Sequence, residues 1–289
     1  MEKILLLNFC LCLQMLVMAA DFDPSKFNYC KAECTDYYDE VHEHTACTCN
    51  KLEGTRTQIF DDIVNFRTAM VEIHNKLRNK LASGEETDRG FPNAANMRVI
   101  NYDLELEYIA NCYAKVIYKG HDKCNRKHHA EYNSGQNIAG SSERREDIEF
   151  FIQRVHKWYN EIDNVLNPAD FIKVFGLEGH AKPKKSVGHF SQVVWAETTR
   201  VGCARVWIPN NPEKKAYHSV LICNYAGDDG IGGNIQDGTI YKVGEACSQC
   251  PEGTSCNDKY TSLCGEIEPI PEREPYKKGS HPLHHKDEL

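Results

Sequence analysis

His189 and Ser191 stand two residues apart in the segment GHFSQVVW, and an imidazole beside a hydroxyl is a pair that could do chemistry. A histidine can take the proton of a serine nucleophile, and it can also bind a transition metal through a ring nitrogen. A nucleophilic Ser191 would need a sharp strand-to-helix turn, yet SQVV lacks the G-x-S-x-G pattern of such a turn. We therefore expect Ser191 to cap a short segment and His189 to be the reactive side chain.

Two short hydrophobic runs follow His189 and must position it. VGCARVWI and YHSVLICNY are rich in β-branched and aromatic residues, and the turn-forming segment PNNPEKK separates them. This pattern predicts a hairpin in which Cys203 and Cys223 lie near the facing positions that a cross-strand disulfide requires. His189 then lies just ahead of the hairpin, on a short segment whose register directs the imidazole away from Val193 and Val194.

Three stretches upstream have the three- and four-residue spacing of apolar residues that is typical of amphipathic helices. The spacing predicts helices over 57–81, from the N-cap Asp103 onward, and over 146–162. The segments 85–96, 131–140 and 164–185 are rich in turn residues and are interpreted as loops or links. Helices followed by a hairpin and a compact Cys-rich segment indicate an α+β fold in which helices cover a small antiparallel sheet.

The two ends of the chain and its cysteines indicate the secretory pathway. A basic residue, a short apolar run and small residues over 1–20 predict a cleaved signal peptide, and no other segment is apolar for long enough to span a membrane. Two of the fourteen cysteines, Cys10 and Cys12, lie in that peptide, so twelve remain for a disulfide framework. The net charge of −8 argues against a nucleic-acid partner, whose binding surface would be basic.

The last four residues are Lys286, Asp287, Glu288 and Leu289. They spell the ER-retention address that the KDEL receptor reads, so we expect the protein to stay in the ER lumen. Secretion with a tail that is not read is the alternative, because the address acts only where it is exposed.

Several segments together resemble the CAP superfamily, also called SCP/TAPS proteins. GHFSQVVW followed by LICNYA is similar to the paired signature of that family, and HNKLR, SGQNIA and WYNE occur in the family's order. NYC and HTAC near the start, with GHDKC later, resemble the insect antigen 5 (venom allergen) branch. The resemblance covers Tyr29 to Cys264 and implies a three-layer, disulfide-rich α-β-α sandwich with a cleft.

The resemblance also implies a cation site in that cleft. Family members often line the cleft with two histidines and two acidic residues that can hold a divalent cation such as Zn²⁺. Here the histidines fall on His121 and His189 and one acidic residue falls on Glu161, but Gln136 occupies the second acidic position. A glutamine can neither act as a general base nor carry charge to a metal, although it can hydrogen-bond a metal-bound water.

The disulfide pairs implied by the resemblance come partly from the antigen 5 branch and partly from the hinge of cysteine-rich secretory relatives. The sequence departs from the antigen 5 pattern at one position, and we hypothesise that Cys49 pairs with Cys112 as a shifted replacement. The implied pairs are Cys30–Cys47, Cys34–Cys124, Cys203–Cys223, Cys247–Cys256 and Cys250–Cys264.

Five regions follow from these patterns. The signal peptide at 1–20 precedes a Cys-rich N-terminal arm at 21–56 and the CAP domain at 57–240. A Cys-rich hinge module at 241–264 and a flexible, Pro- and charge-rich tail at 265–289 complete the chain.

The function that the family resemblance implies is binding. We expect a non-enzymatic protein that requires no cofactor, carries a lipid or sterol or contacts a protein receptor, and has a His-lined cleft for a cation. The aromatic residues Phe150, Phe151, Trp158 and Tyr159 could line an apolar groove for a lipid, although packing in the core is the more common role of such side chains. The alternative is a zinc-dependent hydrolase that uses the same cleft, with Glu161 as its base.

Overall fold

The computed structural model describes residues 22–35, 39–49, 62–114, 120–143, 145–207 and 218–272. The predicted signal peptide and the terminal tetrapeptide therefore lie outside the described residues. No helix in the described part of the chain has the length and apolar character needed to cross a membrane. The elements in chain order are β1 (Glu33–Thr35), β2 (Val41–Glu43), α1 (Thr45–Thr48), α2 (Ile63–Ala82), β3 (Asn101–Tyr102), α3 (Leu104–Ala114), β4 (Gly135–Ser141), α4 (Ile148–Tyr159), α5 (Pro168–Lys173), α6 (Gly188–Val193), β5 (Arg200–Trp207) and β6 (Ser219–Ala226).

The central sheet has four strands in the order β3-β5-β6-β4. β5 and β6 form the predicted antiparallel hairpin, and its register places Cys203 directly opposite Cys223. β4 lies antiparallel to β6 on the other side. The sheet is not wholly antiparallel, because the two-residue β3 pairs in parallel with β5 at one edge.

Helices cover both faces of this sheet, which gives the three-layer sandwich. Every residue of β6 is buried, as expected for a strand with a packed layer on each side. α3 lies against β5 and β6 on one face, where a side chain in place of Gly202 would come within 2.2 Å of the backbone nitrogen of Glu107. α2 contacts α4 and α6 on the other face, where the larger hydrophobic core lies.

The predicted helices are confirmed and the predicted loops are partly wrong. α2, α3 and α4 lie within or close to the predicted ranges, and the carboxylate of Asp103 accepts a hydrogen bond from the backbone of Leu106, as an N-cap should. The stretch 131–140 is predicted to be a link, yet it contains most of β4. GQNIAGS has one β-branched residue, Ile138, and no aromatic residue, and its conformation comes from pairing with β6 along seven residues.

The N-terminal arm is more regular than its sequence predicts, since β1 and β2 pair in it and α1 follows. Disulfides join it to itself and to the domain through Cys30–Cys47, Cys34–Cys124 and Cys49–Cys112. The remaining three disulfides are Cys203–Cys223, Cys247–Cys256 and Cys250–Cys264. These six pairs are the ones named from the sequence.

The segment that follows the hairpin is attached to the domain. Leu263 is fully buried in the main core, and the backbone of Cys264 donates a hydrogen bond to the carbonyl of Met97. The prediction of a flexible tail from residue 265 is wrong for its first part, because Arg200 forms an ion pair with Glu268 and Arg67 donates to the carbonyl of Pro271. These contacts fix the chain up to residue 272 along the side of the sandwich.

Candidate cation-binding cleft

His189 is oriented by Glu161, and we call this pair the His189 half-site. Glu161 lies on the 3-10 helix Asn160–Asn164 that continues α4, and His189 lies in the first turn of α6. The His189 Nδ1 and the Glu161 Oε1 are 2.8 Å apart, and the backbone N–H of His189 donates to Oε2 over 3.0 Å. Because a carboxylate only accepts, Nδ1 carries a proton, and in the neutral ring Nε2 then holds the lone pair.

A buried hydrogen-bonded chain supports the same turn of α6 from the sheet. The side-chain amide of Asn137 in β4 donates to the carbonyl of His189 over 3.1 Å and also reaches the hydroxyl of Tyr225 over 3.4 Å. The Tyr225 hydroxyl lies 2.9 Å from Nε2 of His74 in α2. The carbonyl of Met70 accepts a hydrogen bond from the Nδ1–H group of His74. Burial lowers the pKa of His74 to about 4. His74 is therefore neutral and accepts from Tyr225.

His121 is oriented by Gln136, and we call this pair the His121 half-site. The Nδ1 of His121 is 2.9 Å from Oε1 of Gln136, near the start of β4. The backbone carbonyl of Leu106 determines the orientation of the Gln136 amide. The side-chain nitrogen of Asn224 donates to that carbonyl, so Asn224 Oδ1 is the acceptor for Gln136 Nε2, which lies 3.0 Å away. Gln136 Oε1 consequently faces His121, and Nδ1 is again the protonated nitrogen.

Asp122 lies beneath this half-site, and no sequence pattern points to it. Its carboxylate accepts hydrogen bonds from Thr45 Oγ1 and Asn125 Nδ2, each over 2.9 Å. Burial raises the pKa of Asp122 to about 6, and the hydrogen bond from Thr45 opposes the rise. Thr45 belongs to α1, so the N-terminal arm contributes directly to this side of the cleft.

The structure brings the four predicted residues together in two pairs rather than as one cluster. Gln136 and Asn137 are consecutive residues of β4, so both half-sites are attached to the same point of the sheet. Yet the ligand atoms of His121, His189 and Glu161 do not form a group in which all three lie within 4.8 Å of one another. The groups of described residues that do meet that limit contain disulfide-bonded cysteines, whose sulfur atoms are already bonded.

The interpretation of Ser191 as a cap is wrong. Ser191 lies inside α6 and is fully buried, and its hydroxyl donates to Asn234 Oδ1 over 2.6 Å. The predicted aromatic residues are also buried, with Trp158 the most exposed at 3 %. They therefore pack in the core and do not line an open groove. The ring of Trp158 is stacked near that of His189, with the centroids 6.1 Å apart.

Comparison with known families identifies the domain that carries both half-sites. A family model described as "CAP: Cysteine-rich secretory protein family" matches residues 71–225, which is more than half of the chain. This range contains His74, His121, Gln136, Glu161 and His189.

Curated relatives agree with that match. A "Cysteine-rich venom protein" of Tityus serrulatus is 33 % identical over 84 % of this chain and 56 % of the relative. "Venom allergen 5" of Vespula maculifrons is 31 % identical over 75 % of this chain and 89 % of the relative. The chain thus spans about half the length of the scorpion protein and most of the wasp protein.

Solved structures show the same fold. Na-ASP-1 is 28 % identical with a TM-score of 0.55, and the similarity covers 69 % of this chain and 47 % of that one. BmVAL-1 is 24 % identical with a TM-score of 0.53, and the similarity covers 71 % of this chain and 95 % of that one. Both support the three-layer sandwich described above.

Proposed function

We propose that this chain, which belongs to the CAP family of cysteine-rich secretory proteins, is a non-enzymatic binding protein. Its cleft takes a divalent cation through His121 and His189. Zn²⁺ is the cation that the donor set fits best, because neutral imidazole is one of its usual ligands. Binding requires the two half-sites to present both Nε2 atoms to one cation.

One observation carries this proposal: each histidine has its Nδ1 proton held by a protein acceptor. In metal sites a ligating histidine almost always donates its other ring N–H to a carboxylate or carbonyl, which fixes the tautomer and the ring orientation. His189 has this arrangement with Glu161, and His121 has it with Gln136. No described protein group hydrogen-bonds to either Nε2, so both lone pairs are available to a cation.

The same contacts argue against a hydrolase. Glu161 uses one carboxylate oxygen on the imidazole of His189 and the other on the backbone at the start of α6. It therefore orients a ligand and is not a free general base, since a base must reach the proton it abstracts. Ser191 is buried and its hydroxyl donates to Asn234, so Ser191 and His189 do not form a nucleophile–base pair.

Titration calorimetry with Zn²⁺ alone tests the cation site. We expect the double variant His121→Ala/His189→Ala to lose binding at the cleft, and each single variant to weaken it at least tenfold, which corresponds to about 1.4 kcal/mol. His156→Ala is the matched control, because His156 is an exposed histidine of α4 that contacts neither half-site. Unchanged affinity in the double variant would refute the site.

A small lipid or sterol is the second ligand that we propose, and exposed apolar side chains near α6 favour it. Leu177 is 59 % exposed and lies against Gly188 at the start of α6, and Leu166 and Ile235 are 55 % and 43 % exposed. Contiguous exposed apolar patches often mark ligand or partner sites. Mass spectrometry of solvent extracts should detect lipid with the wild-type protein and less with Leu177→Ser. Lipid-free extracts from several expression hosts would leave a protein receptor as the partner of this surface.

We further propose that the protein enters the secretory pathway, as its family name states, and is held in the ER lumen by Lys286 to Leu289. The residues concerned lie outside those that the structure describes. Deleting the four residues should move the protein from the cell into the medium, and an unchanged distribution would mean that the tetrapeptide is not read.

A further inference from the structure

We propose that the hinge module, residues 241–264, is a site of thiol–disulfide exchange that reacts with a small thiol at Cys256 and adopts two disulfide isomers. The isomer in the structure has the pairs Cys247–Cys256 and Cys250–Cys264. The second isomer has the pairs Cys247–Cys250 and Cys256–Cys264. Neither histidine half-site takes part, so this inference does not depend on the proposed cation.

The sulfur atoms of two different disulfides lie close together in this module. Those of Cys247, Cys250 and Cys264 are all within 4.8 Å of one another, although Cys247 is bonded to neither of the other two. In the described part of the chain, no other group of three or more metal-ligand-type atoms at this spacing contains sulfurs from two disulfides. Cys247 and Cys250 also have the C-x-x-C spacing of thiol–disulfide oxidoreductases. A thiolate that forms on Cys247 therefore has a disulfide sulfur within reach.

The backbone already brings together the other pair of the second isomer. Cys256 and Cys264 lie directly opposite one another in an antiparallel bridge, between two flanking backbone hydrogen bonds of 2.8 Å. Facing residues of this kind have Cα atoms about 4.5 Å apart, a distance that a disulfide can span. Cys203 and Cys223 also face each other in an antiparallel register, and they are bonded. A Cys256–Cys264 bond thus needs no rearrangement of the backbone.

Exposure and conformation determine where the exchange begins. Cys256 is exposed, whereas Cys264 is buried and its backbone forms hydrogen bonds with Met97 and Val99 of the domain. Cys247 has a φ of 61°, a left-handed conformation that is unfavourable for most residues other than glycine. An external thiolate therefore attacks at Cys256, and breakage of the Cys247–Cys256 bond allows Cys247 to leave that conformation.

The exchange has three steps and is redox-neutral. In the first, the external thiolate attacks the sulfur of Cys256, a mixed disulfide forms, and Cys247 leaves as a thiolate. In the second, Cys247 attacks the sulfur of Cys250, and Cys264 leaves as a thiolate. In the third, Cys264 attacks Cys256 in the mixed disulfide and releases the external thiolate. One thiolate enters and one leaves, so no oxidant or reductant is consumed.

The two isomers differ in what their disulfides connect. In the structure both bonds join the segment 247–250 to the segment 256–264. In the second isomer each segment is bonded only within itself, while Cys264 keeps its hydrogen bonds to the domain. A thiol can therefore open the cross-link between the two segments without net reduction of the protein.

Non-reducing digestion of the full chain tests the proposal, with reduced glutathione as the thiol and an acid quench. A protease that cleaves after Glu245, Glu252 and Glu266 separates the two segments. The isomer in the structure then yields two peptides joined by disulfides, and the second isomer yields two separate peptides that each contain an internal disulfide. We expect glutathione to convert the module until the second isomer reaches at least about one tenth of the first.

The disulfide Cys30–Cys47 is the matched control for this digest. Cys30 is also exposed, but no sulfur of a second disulfide is grouped with it, so Cys47 should remain its only partner in the protein. A module that keeps only its original pairs, or that is reduced to four thiols without forming the new pairs, would overturn the proposal.

Two single variants test the geometry without added thiol. In Cys247→Ser the free Cys256 should attack Cys264, and in Cys256→Ser the free Cys247 should attack Cys250. Each variant should therefore contain its new pair beside Cys250–Cys264, in amounts within about tenfold of one another. Finding Cys250–Cys264 alone in both variants would refute the exchange, and if either variant fails to fold, the wild-type digest decides.

Discussion

The two half-sites present the same chemistry, an imidazole with its Nδ1 proton held, but the chain builds them by different means. The His189 half-site is made by elements of the main core: α6, the 3-10 helix after α4, and the buried chain from Asn137 to His74. The His121 half-site is made by an irregular segment that the disulfide Cys34–Cys124 joins to the N-terminal arm, and His121 itself is exposed. The orientation of an imidazole can thus be supported either by packing or by a covalent cross-link.

This difference determines how each half-site should fail. Packing and buried hydrogen bonds contribute to global stability, so damage to them should unfold the domain. A cross-linked loop has few buried apolar contacts of its own, so cutting its cross-link should release the loop while the sheet and α6 stay folded.

We expect the largest effect on stability from a substitution of Arg78, which supports the His189 half-site. Its guanidinium is fully buried and donates to five backbone carbonyls, and burial lowers its pKa to about 9. The acceptors are the carbonyls of Arg98, Val193, Trp195, Ala196 and Thr198.

Arg78→Met keeps the bulk of the side chain and removes the guanidinium donor from all five carbonyls, although those of Trp195 and Ala196 also accept from the backbone N–H groups of Thr198 and Arg98. We expect it to lower the free energy of unfolding by about 4–5 kcal/mol, measured by urea denaturation. Lys76→Met on the exposed face of α2 is the control and should change it by less than about 0.5 kcal/mol. If Arg78→Met lowers the free energy of unfolding no more than the control does, the core does not depend on the hydrogen bonds of Arg78.

The second effect separates the two half-sites. Cys34→Ser/Cys124→Ser removes a cross-link that spans 90 residues and should cost about 3 kcal/mol. Amide hydrogen exchange should then accelerate over 120–130 and remain slow in α6 and β6. The pair Cys247→Ser/Cys256→Ser removes a disulfide from the C-terminal module and should leave exchange over 120–130 unchanged. Equal acceleration in both half-sites after loss of Cys34–Cys124 would remove the distinction between them.

The third and smallest effect is a pH dependence of stability that comes from the support of the His189 half-site. The pKa of His74 is about 4 in the folded protein and 6.5 when unfolded, so its contribution to stability is present above pH 6.5 and is lost as the pH falls toward 4. Between pH 7 and pH 5 the wild type should lose about 2 kcal/mol more than His74→Gln does. Urea denaturation at both pH values gives this difference, and His156→Gln serves as the control. Parallel pH profiles for wild type and His74→Gln would contradict a buried, neutral His74.

Local sequence patterns predict the elements that carry their own signals. The apolar spacing of α2 and α4, the N-cap Asp103 and the two hydrophobic runs of the hairpin all appear in the structure close to their predicted places. The segments that sequence reasoning misses lack such signals. β4 is rich in glycine and small residues and is a strand only because β6 pairs with it.

The residues of the candidate site also fall into two groups, those that sequence motifs indicate and those that only the structure shows. The resemblance of GHDKC, SGQN, WYNE and GHFSQ to family motifs points to His121, Gln136, Glu161 and His189, but no pattern indicates Asn137 or His74 as supports of His189. HNKLR is recognisable as a motif, yet the roles of its His74 and Arg78 become visible only with their buried partners. A hydrogen bond between residues far apart in the chain leaves no periodicity in the sequence.

By itself, then, the sequence determined the class of fold, the helices and the hairpin, and the types of side chain in the cleft, because these depend on local spacing and composition. Only the tertiary structure decided that Glu161 orients His189 and caps α6, that Gln136 orients His121, and that the histidines form two half-sites attached to one strand. The physical reason is that ring tautomers, amide orientations and the availability of a lone pair depend on which donors and acceptors folding brings within about 3 Å. Those partners come from α1, α3, α6 and the sheet, and the chain assembles them only when the sandwich closes.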